Sequence, residues 1–225
     1  MMSRKASIAN GITVFVFAAL LFGAAGRFDW RAAWAFLILF FALSQLVMMR
    51  LARHDPALLA ERLKSPIQPA QPLWDKIFMA SLMVLWVGWI VLIGLDARFG
   101  WSAMPAWLQA AGAIGVIAGY AVIIRVFDEN TFLAPVVKLQ PQRGHHVVDT
   151  GPYAVVRHPM YAGATIMMPS IALMLGSWPG LAASFVIIAG VAFRAVMEER
   201  ELSSRLDGYA DYVARTRWRL IPGIW

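Results

Sequence analysis

The chain has 225 residues, of which 60% are hydrophobic and only 15% charged, where a soluble domain of this length carries about a quarter charged residues. It contains no cysteine, which excludes disulfides, thiolate metal sites and a cysteine nucleophile. Its net charge of +7 needs no nucleic-acid partner, because the basic residues are distributed as membrane topology requires.

Taken in chain order, residues 6–26, 32–49, 77–95 and 99–124 contain no Asp, Glu, Lys or Arg. Each block fits one crossing, since a spanning helix needs about 17–25 apolar residues. No small-residue cleavage site follows the first block, so it is expected to stay attached. The loop 50–76 should begin with an interfacial helix after Pro56 and then run Pro-rich and extended among headgroups, with no chemistry of its own. Gly115 and Gly119 in the fourth block have the small-xxx-small spacing of close helix packing in lipid, and Gly112 lies just before them. No strand precedes them, so a cofactor-binding glycine loop is the weaker reading.

From Phe127 to Arg157 the sequence turns polar, and the interval 158–193 is again free of charge. "LGSWPG" at 175–180 interrupts that interval, with Pro179 and Gly180 supplying turn chemistry. It reads as a short helical hairpin, 160–176 and 178–194, a re-entrant pair being the alternative. A polar tail follows from 195, helical through Leu206. The expected fold is an all-α integral membrane protein with about six transmembrane segments, four spanning helices plus the short hairpin. Residues 1–126 form the lipid and acceptor side. Residues 127–225 form the catalytic region, its cytosolic site built from the 127–161 loop and the tail. With the N-terminus inside, all 20 Lys and Arg except Arg27, Arg31 and Arg98 fall on inner segments, a strong positive-inside bias. Both termini are thus expected in the cytoplasm, in a bacterial inner membrane, with anionic headgroups as neighbours.

Two constellations carry chemistry. In "RHPMY", Pro159 suits a first helical turn and His158 its cap. Free N–H groups at such a helix start favour a carboxylate or phosphate. Tyr161 projects from the same turn, and Gly163 leaves room for a ligand or a neighbouring helix. A capped helix with an interfacial Tyr and a snorkelling Arg157 explains the same residues equally well. In "RAVMEERELSSRL", Arg194 and Glu198 share a helical face. They read either as an ion pair or as a clamp for an anion beside an acceptor of hydrogen bonds. A metal site from His145, His146, Asp149 and His158 is disfavoured, because the set lacks known zinc spacing.

"RGHHVVDTGPYAVVRHPMYAG", an Arg four residues before a Glu-Glu pair, and "GYADY…RLIP" together resemble the isoprenylcysteine carboxyl methyltransferase family. The resemblance covers residues 138–225, and the related phospholipid N-methyltransferases share part of it. It implies that S-adenosylmethionine is bound by His145, His146, Val147, Val148, Tyr153, His158, Pro159, Met160, Tyr161 and Glu198. Gln140 matches an upstream glutamine contact. It also implies catalytic roles for Arg194 and Glu198, with Arg194 near the acceptor carboxylate. The implied reaction is methyl transfer to a lipophilic acceptor, foremost an isoprenylcysteine-type carboxylate. Such a carboxylate is already nucleophilic, whereas an amine acceptor would pass a proton to Glu198 or Glu199. The chain departs from the family at "RLDGY", where Phe-Gly is usual before the tail tyrosine. Rival readings are a phospholipid or lipid-amine N-methyltransferase, an NADPH-dependent membrane sterol reductase, and a non-catalytic membrane protein. The reductases resemble Arg-His-Pro-Asn-Tyr followed by Gly-Glu, where this chain has Met160 and Ala164.

Overall fold

A computed structural model describes residues 2–69 and 71–225. Its described residues are helical apart from loops, short 3-10 turns and one isolated bridge. The helices are α1 (Met2–Ala25), α2 (Arg31–His54), α3 (Pro56–Arg62), α4 (Leu73–Phe99), α5 (Ala106–Glu129), α6 (Pro159–Leu175), α7 (Trp178–Arg205) and α8 (Tyr209–Arg215). Five of them, α1, α2, α4, α5 and α7, are long and apolar enough to cross a membrane. The all-helical membrane architecture therefore agrees with the sequence, but the short hairpin is lopsided. Only α6 is short, at 17 residues, while α7 runs for 28. At 1.5 Å per residue these are about 25 Å and about 42 Å long. The expected second arm, ending at 194, stops where the charged residues begin, but the backbone stays helical to Arg205. Charge ends an apolar block without ending a helix.

The chain turns between α1 and α2, α4 and α5, and α6 and α7 at one end of the bundle, called here the turn end. Left-handed glycines make the breaks: Gly26 and Gly100 at φ +66 and Gly176 at φ +79. Ser177 then caps α7, its Oγ accepting from the Gly180 N–H at 2.9 Å. Exposed Phe28, Phe99, Trp101, Trp107 and Trp178 cluster by sequence at these turns, as in the aromatic girdle of a membrane interface. The opposite, tail end carries α3, the 130–158 loop and the tail.

Close packing rests on small residues, as expected for α5. A Cβ on Gly119 would sit 3.0 Å from Met167 Cβ and 3.1 Å from the Gly163 carbonyl of α6. Gly163 thus makes room for a helix. Between α4 and α7, the Trp89 indole donates to the Gly180 carbonyl at 2.7 Å. Asn10, Ser44 and Gln45 join α1 to α2, with Ser44 Oγ donating to Asn10 Oδ1 at 2.7 Å. Such polar pairs hold helices together where lipid offers no hydrophobic drive. Large side chains such as Phe15, Val84, Ile114 and Phe185 remain exposed, as lipid-facing residues do.

Candidate active site

Each part of the tail end is placed by local chemistry. Asp55 caps α3, its Oδ1 accepting from the Leu58 N–H at 2.9 Å, and Pro56 supplies the first turn. Leu58 and Leu59 are fully buried, so α3 lies fixed against the bundle with Glu61 and Arg62 at its end. His158 caps α6 with Pro159 in the first turn, as the sequence suggests. The tail locks that cap from outside. Val156 bridges Trp218, and the Arg157 and His158 N–H groups each donate at 2.9 Å, to the carbonyls of Trp218 and Arg219 respectively.

A cavity of about 360 Å³ opens between these elements. His145, His146, Val147, Val148, Tyr153, His158, Pro159, Met160, Tyr161, Arg194 and Glu198 all line it. Gln140 does not, in contrast to its expected cofactor contact. It is fully buried, with Nε2 donating to the Phe132 carbonyl at 2.6 Å and Oε1 accepting from Arg143 at 2.8 Å. Its amide is spent on shaping the loop, and its N–H reaches His145 Nδ1 at 3.3 Å.

The ion pairing differs from the sequence reading. Arg194 does not pair with Glu198 one turn away. Its Nε donates to Asp75 Oδ1 at 2.9 Å, and Nη2 donates to the Pro135 carbonyl at 3.1 Å. Asp75, wholly buried in the first turn of α4, also accepts from Gln71 at 2.7 Å and from the Val137 N–H at 2.9 Å. This clasp joins α4, α7 and the strap 130–138. Glu198 is left to accept the Tyr161 hydroxyl at 2.6 Å, beside a His158 ring stacked on Tyr161 at 5.4 Å.

Its neighbour Glu199 points the other way. That carboxylate accepts from Arg157 at 2.6 Å and from Arg219 at 2.9 Å, with His158 Nε2 at 3.2 Å. With two guanidiniums and an imidazole on it, and no place in the cavity lining, Glu199 fastens the tail. It is therefore removed as a proton acceptor, and Glu198 remains the acidic side chain lining the cavity.

Aromatic groups complete the walls. Tyr153 accepts from Asn130 Nδ2 at 2.8 Å, and its carbonyl accepts from the Tyr212 hydroxyl at 2.8 Å. Burial pushes the Tyr153, Tyr209 and Tyr212 phenols up, so they stay neutral donors. His145 and His146 lie against Phe132 at 4.7 and 5.0 Å. Burial, and then His146 and Arg143, hold the His145 imidazole below its ordinary value. It is neutral at pH 7 and offers one donor and one acceptor.

The sequence reading missed Arg62, Asp75, Asn130, Tyr209 and Tyr212. Asp75 carried a signal, as an acid at the edge of an apolar block, and Tyr209 and Tyr212 lie in the "GYADY" motif, where no site role was assigned to them. Arg62 reaches the cavity from α3, the segment expected to lie inertly among headgroups.

Residues 107–206, from α5 to the end of α7, match the family model described as phospholipid methyltransferase. No curated protein matches the chain. The matched segment contains all the expected site residues and the wall that α6 and α7 give the cavity. Over this segment, 100 of its 225 residues, the chain is similar to the phospholipid methyltransferase family.

Proposed function

We propose that the protein transfers a methyl group from S-adenosylmethionine to a lipid-borne acceptor at the cytoplasmic membrane surface, with an isoprenylcysteine-type carboxylate as the leading acceptor. The observation that carries this reading is convergence. His145 to Val148, Tyr153, His158 to Tyr161 and Glu198 line one cavity, although 53 positions of the chain separate the first from the last.

The donor set fits the cofactor. The α6 start offers N–H groups and partial positive charge to a carboxylate. Glu198 suits an ammonium or ribose hydroxyls, and the tyrosine faces suit a sulfonium cation. S-adenosylmethionine supplies an electrophilic methyl group at that sulfonium. The protein's part is positional: it aligns donor and acceptor and excludes water. The Asp75–Arg194 clasp fixes the strap over the site. Arg194 therefore acts as a positioned positive wall, its fork already engaged by Asp75 and Pro135.

A second reading, methylation of a phospholipid amine, is favoured by the family match and by Glu198, which no cation among the described residues neutralises within 4.0 Å. An ammonium acceptor must lose a proton before attack, and Glu198 is positioned to accept it.

Thermal shift of the detergent-purified protein tests the cofactor. Stabilisation by S-adenosylmethionine and S-adenosylhomocysteine is expected. Stabilisation by NADPH alone would reverse the assignment in favour of a reductase. Transfer of a radiolabelled methyl group into a membrane extract, separated into carboxyl esters and methylated amines, then decides the acceptor.

A further inference from the structure

The cavity contains a positive charge that the protein itself leaves without a counter-ion. Four cationic side chains line it: Arg62, Lys138, Arg157 and Arg194. Three are neutralised. Arg194 is held by Asp75, Arg157 by Glu199 and Lys138 by Glu61. Arg62 has no carboxylate within 4.0 Å among the described residues. The acid beside it in the chain, Glu61, is taken by Lys138 and by Lys64 at 2.6 Å. The Arg62 guanidinium sits 5.2 Å over the Phe127 ring, a contact that orients a cation without neutralising it. Burial, with Arg194 second, pushes it down to about 10. It is still charged at neutral pH, in surroundings that disfavour charge. Arg62 is only partly buried and borders the cavity with no carboxylate of the described residues pairing it, so its charge is free to meet the anionic group of a ligand.

The location of Arg62 indicates which ligand. Every residue assigned to the cofactor lies in the loop, α6 and α7, within or close to the matched segment 107–206. Arg62 comes from α3, outside that segment. Met79 and Leu82 of α4, also outside the segment, give the same cavity apolar lining. An unpaired cation in a cavity that also has apolar lining suits a molecule with an anionic head and a hydrocarbon tail.

Resting on the methyltransferase reading, we propose that Arg62 binds the anionic group of the lipid acceptor, a carboxylate or a phosphate, and so selects acidic amphiphiles over uncharged ones. In a carboxylate acceptor, Arg62 would hold the reacting group itself. In an amino phospholipid, it would hold the phosphate and leave the amine towards Glu198. Arginine suits both groups, because its planar fork donates two parallel hydrogen bonds to either oxyanion.

The test measures binding before turnover. Thermal shift in maltoside detergent compares dodecanoate, dodecyl phosphate and dodecanol on the wild-type protein and on Arg62→Gln and Arg62→Lys. We expect stabilisation by at least one anionic amphiphile and none by dodecanol. Arg62→Gln should weaken the anionic ligand about 30-fold, in line with loss of a charge-assisted pair, with Arg62→Lys intermediate. S-adenosylhomocysteine binding should be unchanged in both variants, which also shows that they fold. Equal stabilisation by dodecanol, or unaltered anion binding by Arg62→Gln, overturns the proposal. Loss of S-adenosylhomocysteine binding with intact amphiphile binding overturns it too, since Arg62 would then serve the cofactor. Arg62-dependent amphiphile binding without any cofactor binding would reject the methyltransferase reading and leave the anion site standing.

Discussion

A cavity lies at each end of the bundle, about 540 Å³ at the turn end and about 360 Å³ at the tail end. The larger one is walled by three interhelical turns. Its charges are local: Arg27 pairs with Asp29 at 3.2 Å, two residues away and largely exposed. Asp96 accepts from Ser102 at 2.7 Å through one oxygen, and its other oxygen has no hydrogen-bond partner among the described residues. In the smaller cavity the charges are tied across the chain, Asp75 to Arg194 and Arg157 to Glu199. Volume does not make a site. Long-range pairs that fix most side chains rigidly, and leave Glu198 and Arg62 uncommitted, do.

Four experiments would break or sharpen that contrast. The largest effect is expected for Arg194→Ala, which strands Asp75 in a buried position without a counter-charge, at a cost of about 3–5 kcal/mol. Asp96→Asn at the turn end should change stability by less than about 1 kcal/mol, since its Ser102 bond survives and its unpaired oxygen loses its charge. Unfolding in detergent compares the two, and equal losses would erase the distinction between the ends. Next come Glu198→Ala and His158→Ala, each expected to weaken S-adenosylhomocysteine by about 100-fold by calorimetry. Arg4→Ala and Asp96→Asn should bind it normally.

Tyr161→Phe is smaller. It removes only the hydroxyl that Glu198 accepts, and turnover should fall about tenfold with melting nearly unchanged. The smallest effect is with pH. The folded His145 value lies below the ordinary 6.5, so the unfolded chain binds the proton more readily. Its contribution to stability is complete above pH 6.5 and is lost as pH falls from there towards the folded value. Melting between pH 7.5 and 5.5 should show this slope, and His145→Gln should flatten it.

Much of the site was legible because it is local. His145 to Val148 and His158 to Tyr161 are runs whose loop and helix-cap geometry travels with the sequence, so their gathering at one end followed. The apolar blocks likewise predicted the spans, since spacing between charges is a one-dimensional signal. Four features were not legible. The partner of Arg194 lies 119 positions away, and helical spacing favoured a nearer carboxylate at Glu198. Glu198 and Glu199 read alike, and only the fold of the tail turns one to the cavity and the other to Arg157, His158 and Arg219. Gln140 had the right residue type near the right motif, yet its amide is consumed by Phe132 and Arg143. Arg62 lay in a segment whose composition describes a headgroup-level helix, and nothing in composition says which cation goes unneutralised.

The unequal lengths of α6 and α7 have a further consequence. Joined at the turn end, they differ by about 17 Å in reach, so α6 stops short while α7 continues past it. The α6 start that lines the cavity therefore lies short of the α7 end. On the methyltransferase proposal, that recess would admit a water-soluble donor from the solvent side and an oily acceptor sideways from its leaflet, and turnover is expected to vary with the acyl-chain length of the host membrane.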